Sequence, residues 1–556
     1  EGLDAVGGRD DLADLHVVEP VAESRVSGRR PRYLCWENWL VAKGFRPVLR
    51  DQPMLLPVDL RDWLPSDHLV WFVIDTVAVL DTSGLERHRR AGGAGAAGYD
   101  PAMLLGLLVY AYCGGVRSSR RIEQLCLTDV AYRVLCGQQA PDHATIARFR
   151  AGCSAEFAGL FSQVLQVAAG LGMVRFATVA IDGTKIAANA SIDANRGREW
   201  FDAQVAAMIT DAEQVDQAEQ ATPPAADRVP AGLVAPGDRA ARIRQAAAEL
   251  SRRTDAEQRA DAARLASARD RRRRAEAGEG VIGRIPAGPH RLAEAQAHLA
   301  REIAAQQAKL DRRAAIIAAG RKPMGAPPRP VAEHSHVVRA RKAVDAALAA
   351  DHATAKPVTS LPDRVANTTD PHSRIMPTRR GFLQGYNVQV AVTADQMIAA
   401  IDVVQTSSDI GSFVPMMTKA VEVADQLHQV TGSDLHQIGV VLADAGYASN
   451  TNLAAAGPDR LIALGKRRDQ HRTARRRPVT GPPPPGASPR QAMDHRLRTS
   501  EGAATYKKRG ATVEPGIGNL KKILDRFSRR GLAPALHEAH LAATAFNITK
   551  LHRATR

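Results

Sequence analysis

Strand-like sequence is confined to two parts of this 556-residue chain, and they lie far apart. The first is FATVAIDGTKIAANAS (176–191), where Phe176, Val179 and Ile181 favour extended backbone and small residues separate them. The second contains GYNVQVAVTADQMIAAIDVVQ (385–405), IGVVLADAGYAS (438–449) and RLIALGK (460–466). Between them, 198–366 is rich in Ala, Arg, Glu and Gln, with Pro-rich breaks at 221–238 and 322–330. Removing that stretch leaves a single α/β domain of mixed strands with helices packed on the sheet, contiguous in space but not in sequence.

The expected division follows. Residues 173–197 and 367–552 form the α/β core, and 198–366 form a helical or coiled-coil insert. In the insert, 239–274 carries a thin apolar stripe of Ile243, Ala247 and Leu250, and 292–320 is its partner in a helical hairpin. In the core, 385–405 reads as a hairpin turning at TAD. A helix then presents Phe413, Met416, Ala420, Ala424 and Leu427 on one face. The basic, Pro-rich 467–500, including RRDQHRTARRRPVTGPPPPGASPR (467–490), reads as a disordered loop. Two helices follow, about 515–530 and 534–552.

Residues 45–172 read as an all-α N-terminal domain, with helices at 68–80, 101–113, 119–137 (as two) and 141–153. The last three, with Arg117, Arg120, Arg121, Arg148 and Arg150 around them, fit a helix-turn-helix that binds DNA. They fit equally a helical cap with ordinary surface arginines. Residues 1–44 read as a disordered leader. Five cysteines (Cys35, Cys113, Cys126, Cys136, Cys153) form no CxxC pair, as expected of free thiols in a reducing cytoplasm. Lys and Arg number 75 against 59 Asp and Glu, a net charge of +16. That field favours a polyanion, nucleic acid first and an anionic membrane surface second. The longest apolar run, 103–115, is shorter than the roughly 20 residues that span a bilayer.

Three carboxylates stand out. Asp182 follows the most apolar part of its strand and precedes Gly183. Alone, that pair reads as a turn. Asp444, before Gly446 and Tyr447, repeats the arrangement. Two such acids on neighbouring strand ends make a candidate hard-cation site, since Mg²⁺ takes oxygen ligands. The third is Glu514. Pro515 suits a first helical position and would place Glu514 at a helix start, with Ile517, Leu520, Leu524 and Phe527 as the buried stripe. Lys521 returns to nearly the same face, and Tyr506 and Arg509 lie upstream. By itself this reads as a capped surface helix.

Taken in order, AIDGTKIAANAS, DPHSRIM with GFLQGYNVQVAV, LADAGYAS, and LRTSEGAATYKKRGATVEPGIGNLKK resemble the blocks of bacterial insertion-sequence transposases of the DDE class. The nearest branch is the insertion-sequence family numbered eleven-eighty-two, over roughly residues 45–552. The resemblance implies an RNase H-like core with two Mg²⁺ ions, Mn²⁺ substituting. It also implies a metal-binding catalytic triad of Asp182, Asp444 and Glu514. DNA or phosphate contacts fall on Tyr506, Arg509, Lys521, Lys185, Arg120, Arg121 and Arg148. The implied activity is binding of terminal inverted repeats, cleavage at the ends and joining to target DNA. The implied setting is a homodimer on double-stranded DNA in the bacterial cytoplasm, at the nucleoid and away from membranes. His372 departs from the family pattern, where an acid is usual, as do Gly516 and Ile517, where bulkier residues are typical; neither removes a metal ligand. Asp370 and Asp409 read as supporting acids. A haloacid dehalogenase-like phosphohydrolase would need its nucleophile at position 180, which is Ala180. A decayed, purely DNA-binding relative is the other alternative. HSH (334–336) lacks partners at zinc spacing, and GGAGAAG (92–98) lacks the Lys-Ser/Thr of a phosphate loop.

Overall fold

The separated strand segments meet in one sheet. The computed structural model describes residues 59–87, 97–221, 238–277, 290–354, 365–379, 381–465 and 467–556. The expected leader with Cys35, most of the 92–98 glycine run and most of the Pro-rich break at 221–238 lie outside these residues. The elements below belong to one compact unit, Arg46–His88 with Tyr99–Arg556.

Seven helices come first: α1 (Leu69–Ala78), α2 (Ser83–Glu86), α3 (Pro101–Cys113), α4 (Ser119–Thr128), α5 (Val130–Leu135), α6 (His143–Gly152) and α7 (Phe157–Gly170). Their starts are written locally. Asp100, Ser118, Asp129 and Asp142 each accept a backbone N–H of the first turn, and Pro101 needs no donor there. Helix α3 is apolar nearly all round and is buried accordingly. Cys113, Cys126, Cys136 and Cys153 are free thiols. Among the described residues no helix is long and apolar enough to cross a membrane.

Then come β1 (Thr178–Ala187), β2 (Asn195–Arg196), α8 (Arg198–Ala221), α9 (Asp238–Glu276), α10 (Arg291–Ala318), α11 (Ser335–Thr354) and β3 (Ala366–Asn367). The long helices have a small core of their own, Phe201, Ile243, Ala246 and Leu250 with Ala366. Ala246 rather than Ala247 is the sealed alanine, one step round the expected stripe. At its base α9 is tied to the strands: Glu249 pairs with Arg374, Arg253 Nη1 donates to Val365 O at 3.0 Å, and Gln245 lies 3.2 Å from His372 Nε2.

The remainder is β4 (Arg374–Thr378), β5 (Gly381–Val392), β6 (Ile398–Val404), α12 (Phe413–Thr431), β7 (Val440–Ala443), α13 (Asn450–Ala454), β8 (Arg460–Ile462), α14 (Arg467–Arg476), α15 (Pro489–Arg498), α16 (Ser500–Ile523) and α17 (Leu532–Ala554). The main sheet runs β4-β5-β1-β7-β8, with β6 also paired to β5. β5 is antiparallel to β1, β4 and β6, whereas β7 and β8 run parallel to β1. Helix α12 buries Phe413, Met416, Ala420, Ala424 and Leu427, as the spacing predicts, together with Met417.

Three expectations are corrected. Asp182 and Gly183 do not turn the chain; β1 continues through them to Ala187, because β5 goes on pairing with it as far as Ala187↔Gly385. The 467–490 stretch is not one loop: α14 occupies its first ten residues, and a capping box on Ser488 and Gln491 starts α15. Pro515 does not open a helix either. It lies inside α16, which Thr499 caps far upstream. Proline cannot donate to the carbonyl four residues back, at Ala511. The side chain of Gln396 supplies that donor instead, its Nε2 lying 3.0 Å from Ala511 O.

Candidate active site

The parallel pairing of β1 with β7 ends at Ile181↔Ala443. The next residues on the two strands are Asp182 and Asp444, side by side at the sheet's roughly 4.8 Å strand spacing. β7 stops there while β1 continues, so the two carboxylates share a notch. Each is oriented by the chain just after it. Gly183 N donates to Asp182 Oδ1 at 2.9 Å, and Gly446 N to Asp444 Oδ1 at 2.8 Å.

Arg509 reaches the notch from α16. Its Nη2 donates to Asp182 Oδ2 at 2.8 Å and stands 3.8 Å from Asp444 Oδ2. The guanidinium is buried, and its Nε has no hydrogen-bond partner among the described residues. The Asp182 carboxyl is raised to about 6: burial drives it up most, Arg509 and the Gly183 amide pull it down, and Asp444 and Asp409 add to the rise. The Asp182 side chain is 21% exposed and that of Asp444 45%, so the notch opens to solvent on the Asp444 side.

The other expected site residues are more scattered. Tyr506 is buried in the core, and Glu514 and Lys521 are exposed on α16. Glu514 follows Arg509 by five residues, about 140° round the helix, whereas Lys521 lies within about 20° of Glu514. Among the described residues no group of three or more His, Cys, Asp or Glu side chains stands ready to hold a metal ion. Lys185 faces Asp409 at 3.4 Å, with its side chain 17% exposed. Arg120, Arg121 and Arg148 are exposed on α4 and α6. Arg117 and Arg150 instead turn inward: Arg150 Nη1 donates to Arg117 O at 2.6 Å, and Arg117 binds Asp525 and Arg526 O.

His372, the departure from the family pattern, accepts Leu532 N at 3.1 Å and so fixes the start of α17. Asp370 is wholly buried and accepts Tyr386 Oη and Gly531 N. Burial raises its carboxyl above the usual range.

A second polar cluster backs the notch. Asn387 Nδ2 and Gln389 Nε2 each donate to Asp409 Oδ1 at 2.8 Å, and Tyr447 Oη donates to Gln389 Oε1 at 2.5 Å. The signal for it was present in GYNVQVAV: Asn387 and Gln389 alternate on one face of a strand that is otherwise apolar and sealed. Two fully buried amides require partners.

The notch offers hard oxygen donors, adjacent carboxylates and one balancing arginine, a set that fits Mg²⁺ or Mn²⁺.

Residues 58–152 match a family model described as a transposase domain (DUF772), and residues 467–552 match one described as a transposase DDE domain. The second covers Arg509, Glu514 and Lys521 and leaves Asp182 and Asp444 outside. No curated protein and no solved structure matches the chain. Together the two matches support an insertion-sequence DNA transposase, a nuclease-type enzyme that acts on DNA. DDE transposase domains generally use divalent metal ions.

Proposed function

We propose that this chain is an RNase H-like DDE transposase, of the insertion-sequence family numbered eleven-eighty-two. In this reading it binds terminal inverted repeats, cuts at them and joins the ends to target DNA, with Asp182, Asp444 and Glu514 as its acids. The observation that carries the reading is the strand register, which sets Asp182 and Asp444 side by side under an arginine from the helix of the DDE match. The sheet order supports the RNase H-like assignment: an antiparallel β6-β5-β1 meander extended by parallel β7 and β8.

Divalent ions, when bound, activate the attacking water or 3′-hydroxyl and stabilise the leaving oxygen. The chain's own part is to hold charge in place. The Gly183 and Gly446 amides aim the two carboxylates, and the sheet keeps their spacing fixed. Arg509 balances the pair. Lys521, exposed on the Glu514 side of α16, would take a DNA phosphate, as would Arg120, Arg121 and Arg148. The long helices, with their exposed surfaces, fit contacts within a homodimer on paired DNA ends.

Nicking of a labelled element end with Mg²⁺, beside a gel shift on the same DNA, tests the reading. Asp182→Asn and Asp444→Asn should each remove nicking almost completely and leave end binding intact. Near-normal nicking by either variant takes that residue out of the site.

A further inference from the structure

A cavity lies just past the end of β8, one strand over from Asp444. β8 pairs in parallel with β7 as far as Ala443↔Ile462, and Ala463 N still donates to Ala443 O at 3.2 Å. Leu464 therefore leaves the sheet about one residue beyond the level of Asp444, across a strand spacing of roughly 4.8 Å. Helix α15 runs back along β8. Arg490 Nη2, from its first turn, donates to Leu464 O at 3.4 Å, and Arg496 pairs with Asp459 just before the strand. Leu464, the turn at 484–488 and the Arg490–Arg498 face of α15 enclose about 810 Å³. Parallel strands commonly receive ligands there, beyond their C-terminal ends.

The lining points to an anion. Arg490 is exposed and has no carboxylate partner among the described residues. Asp494, the acid in the lining, is already held by Arg498 at 3.0 Å. The start of α15 adds the positive end of a helix dipole, although its capping box takes the Gln491 amide. His495 is an independent sign. It is 9% exposed, borders the cavity and makes no hydrogen bond among the described residues. Its Nδ1 is sealed, so a proton there would be a buried donor with nothing to receive it. The ring therefore carries its N–H on Nε2, the nitrogen that is not sealed, as a donor in want of an acceptor.

We propose that this cavity takes a phosphate of the DNA strand that passes the notch, with Arg490 pairing with it and His495 Nε2 donating to it. Charges on one strand recur roughly every 3.4 Å of helix axis, which puts this phosphate within about three nucleotides of the cut. The inference rests on the DNA-cleaving reading above and adds α15 to it. Arg490 and His495 are positioning residues: they hold the strand beside Asp444 and touch no reacting atom.

Affinity for a labelled element end, measured by gel shift without divalent ions, tests this with DNA in which a neutral methylphosphonate replaces one phosphate at a time near the cut. The wild type should lose affinity severalfold at one such position. Arg490→Gln should lose as much on unmodified DNA and nothing further at that position, and its log K should fall with log salt less steeply by about 0.9. His495→Leu should weaken binding to a smaller degree without loss of stability in urea, because the sealed Nδ1 is orphaned in the folded chain. Arg475→Gln, at an exposed arginine on α14 outside the cavity, should keep the full methylphosphonate loss. A wild type that binds ends but has no sensitive position near the cut overturns the assignment by itself, as does an Arg490→Gln variant that keeps the wild-type sensitivity. A wild-type chain that does not bind element ends overturns the DNA-cleaving reading and this inference with it.

Discussion

The main sheet and the long helices between β2 and β3 solve opposite problems. In β1, β5 and β7, residues such as Ile181, Val390 and Leu442 are wholly sealed between helices. In α9, 39 residues long, the sealed apolar side chains are Ile243, Ala246, Leu250 and Ala275. Its polar faces carry ion pairs one helical turn apart, such as Arg264–Asp261 and Arg272–Glu276. Each such pair stabilises by about 0.2–0.5 kcal/mol and is screened by salt. A sheet packed on both faces can fix two carboxylates to a fraction of an ångström. Helices held mainly by their own backbone and surface charge suit reach and contact. The difference fits the placing of Asp182 in β1 and of Asp444 directly after β7.

The largest effect that could break this contrast is a core truncation. Leu442→Ala should cost about 2–5 kcal/mol in urea unfolding. Ile317→Ala, at a side chain 58% exposed on α10, should stay within about 0.5 kcal/mol. Equal costs would mean that the long helices carry as much of the stability as the sheet.

A smaller effect sharpens the comparison inside the sheet. Folding moves the Asp182 carboxyl from 3.8 to about 6. The folded chain therefore holds that proton more tightly than the unfolded chain. Its favourable contribution is complete below about pH 4, fades as pH rises toward 6, and leaves a penalty above that. Without divalent ions, Asp182→Asn should gain on the order of 2 kcal/mol at pH 7.5 and almost nothing at pH 4. A gain that does not vary with pH would place its origin outside ionisation.

The smallest effect concerns α16. Gln396→Ala removes the donor that replaces the amide missing at Pro515. The contact is exposed, so about 0.5–1 kcal/mol of stability should go with it. No loss would mean that water serves Ala511 O equally well.

The strands, the α12 face and the N-terminal helices were legible because their signals are local: alternation, i/i+4 spacing and capping residues. The pairing of Asp182 with Asp444 was legible through repetition, an apolar run, Asp and then Gly. That Gly183 stays within a strand was not legible, since a turn and an Asp-Gly within a strand look alike until β5, some 200 residues later, supplies the partner. Pro515 misled for the same reason. A proline inside a helix is tolerated when a distant side chain covers the exposed carbonyl, and Gln396 is 115 positions away. Asp409 carried no local mark; its place depends on two amides of β5.

Helix α17 is enclosed along most of its length, with Ala535, Ala539, Ala542, Ala543 and Ala545 letting neighbours approach closely. Tyr112 Oη donates to Glu538 on it across 426 positions, and Asn547 exchanges hydrogen bonds with the backbone of Ile398 in β6. The early helices and the sheet thus lean on a single segment made long after both. At roughly 5–20 residues per second of synthesis, the N-terminal helices wait about 20–90 seconds for it. During that interval their apolar faces are open to whatever else is nearby. Until α17 is made, that surface is an aggregation hazard of the kind that long-range docking of a late segment creates.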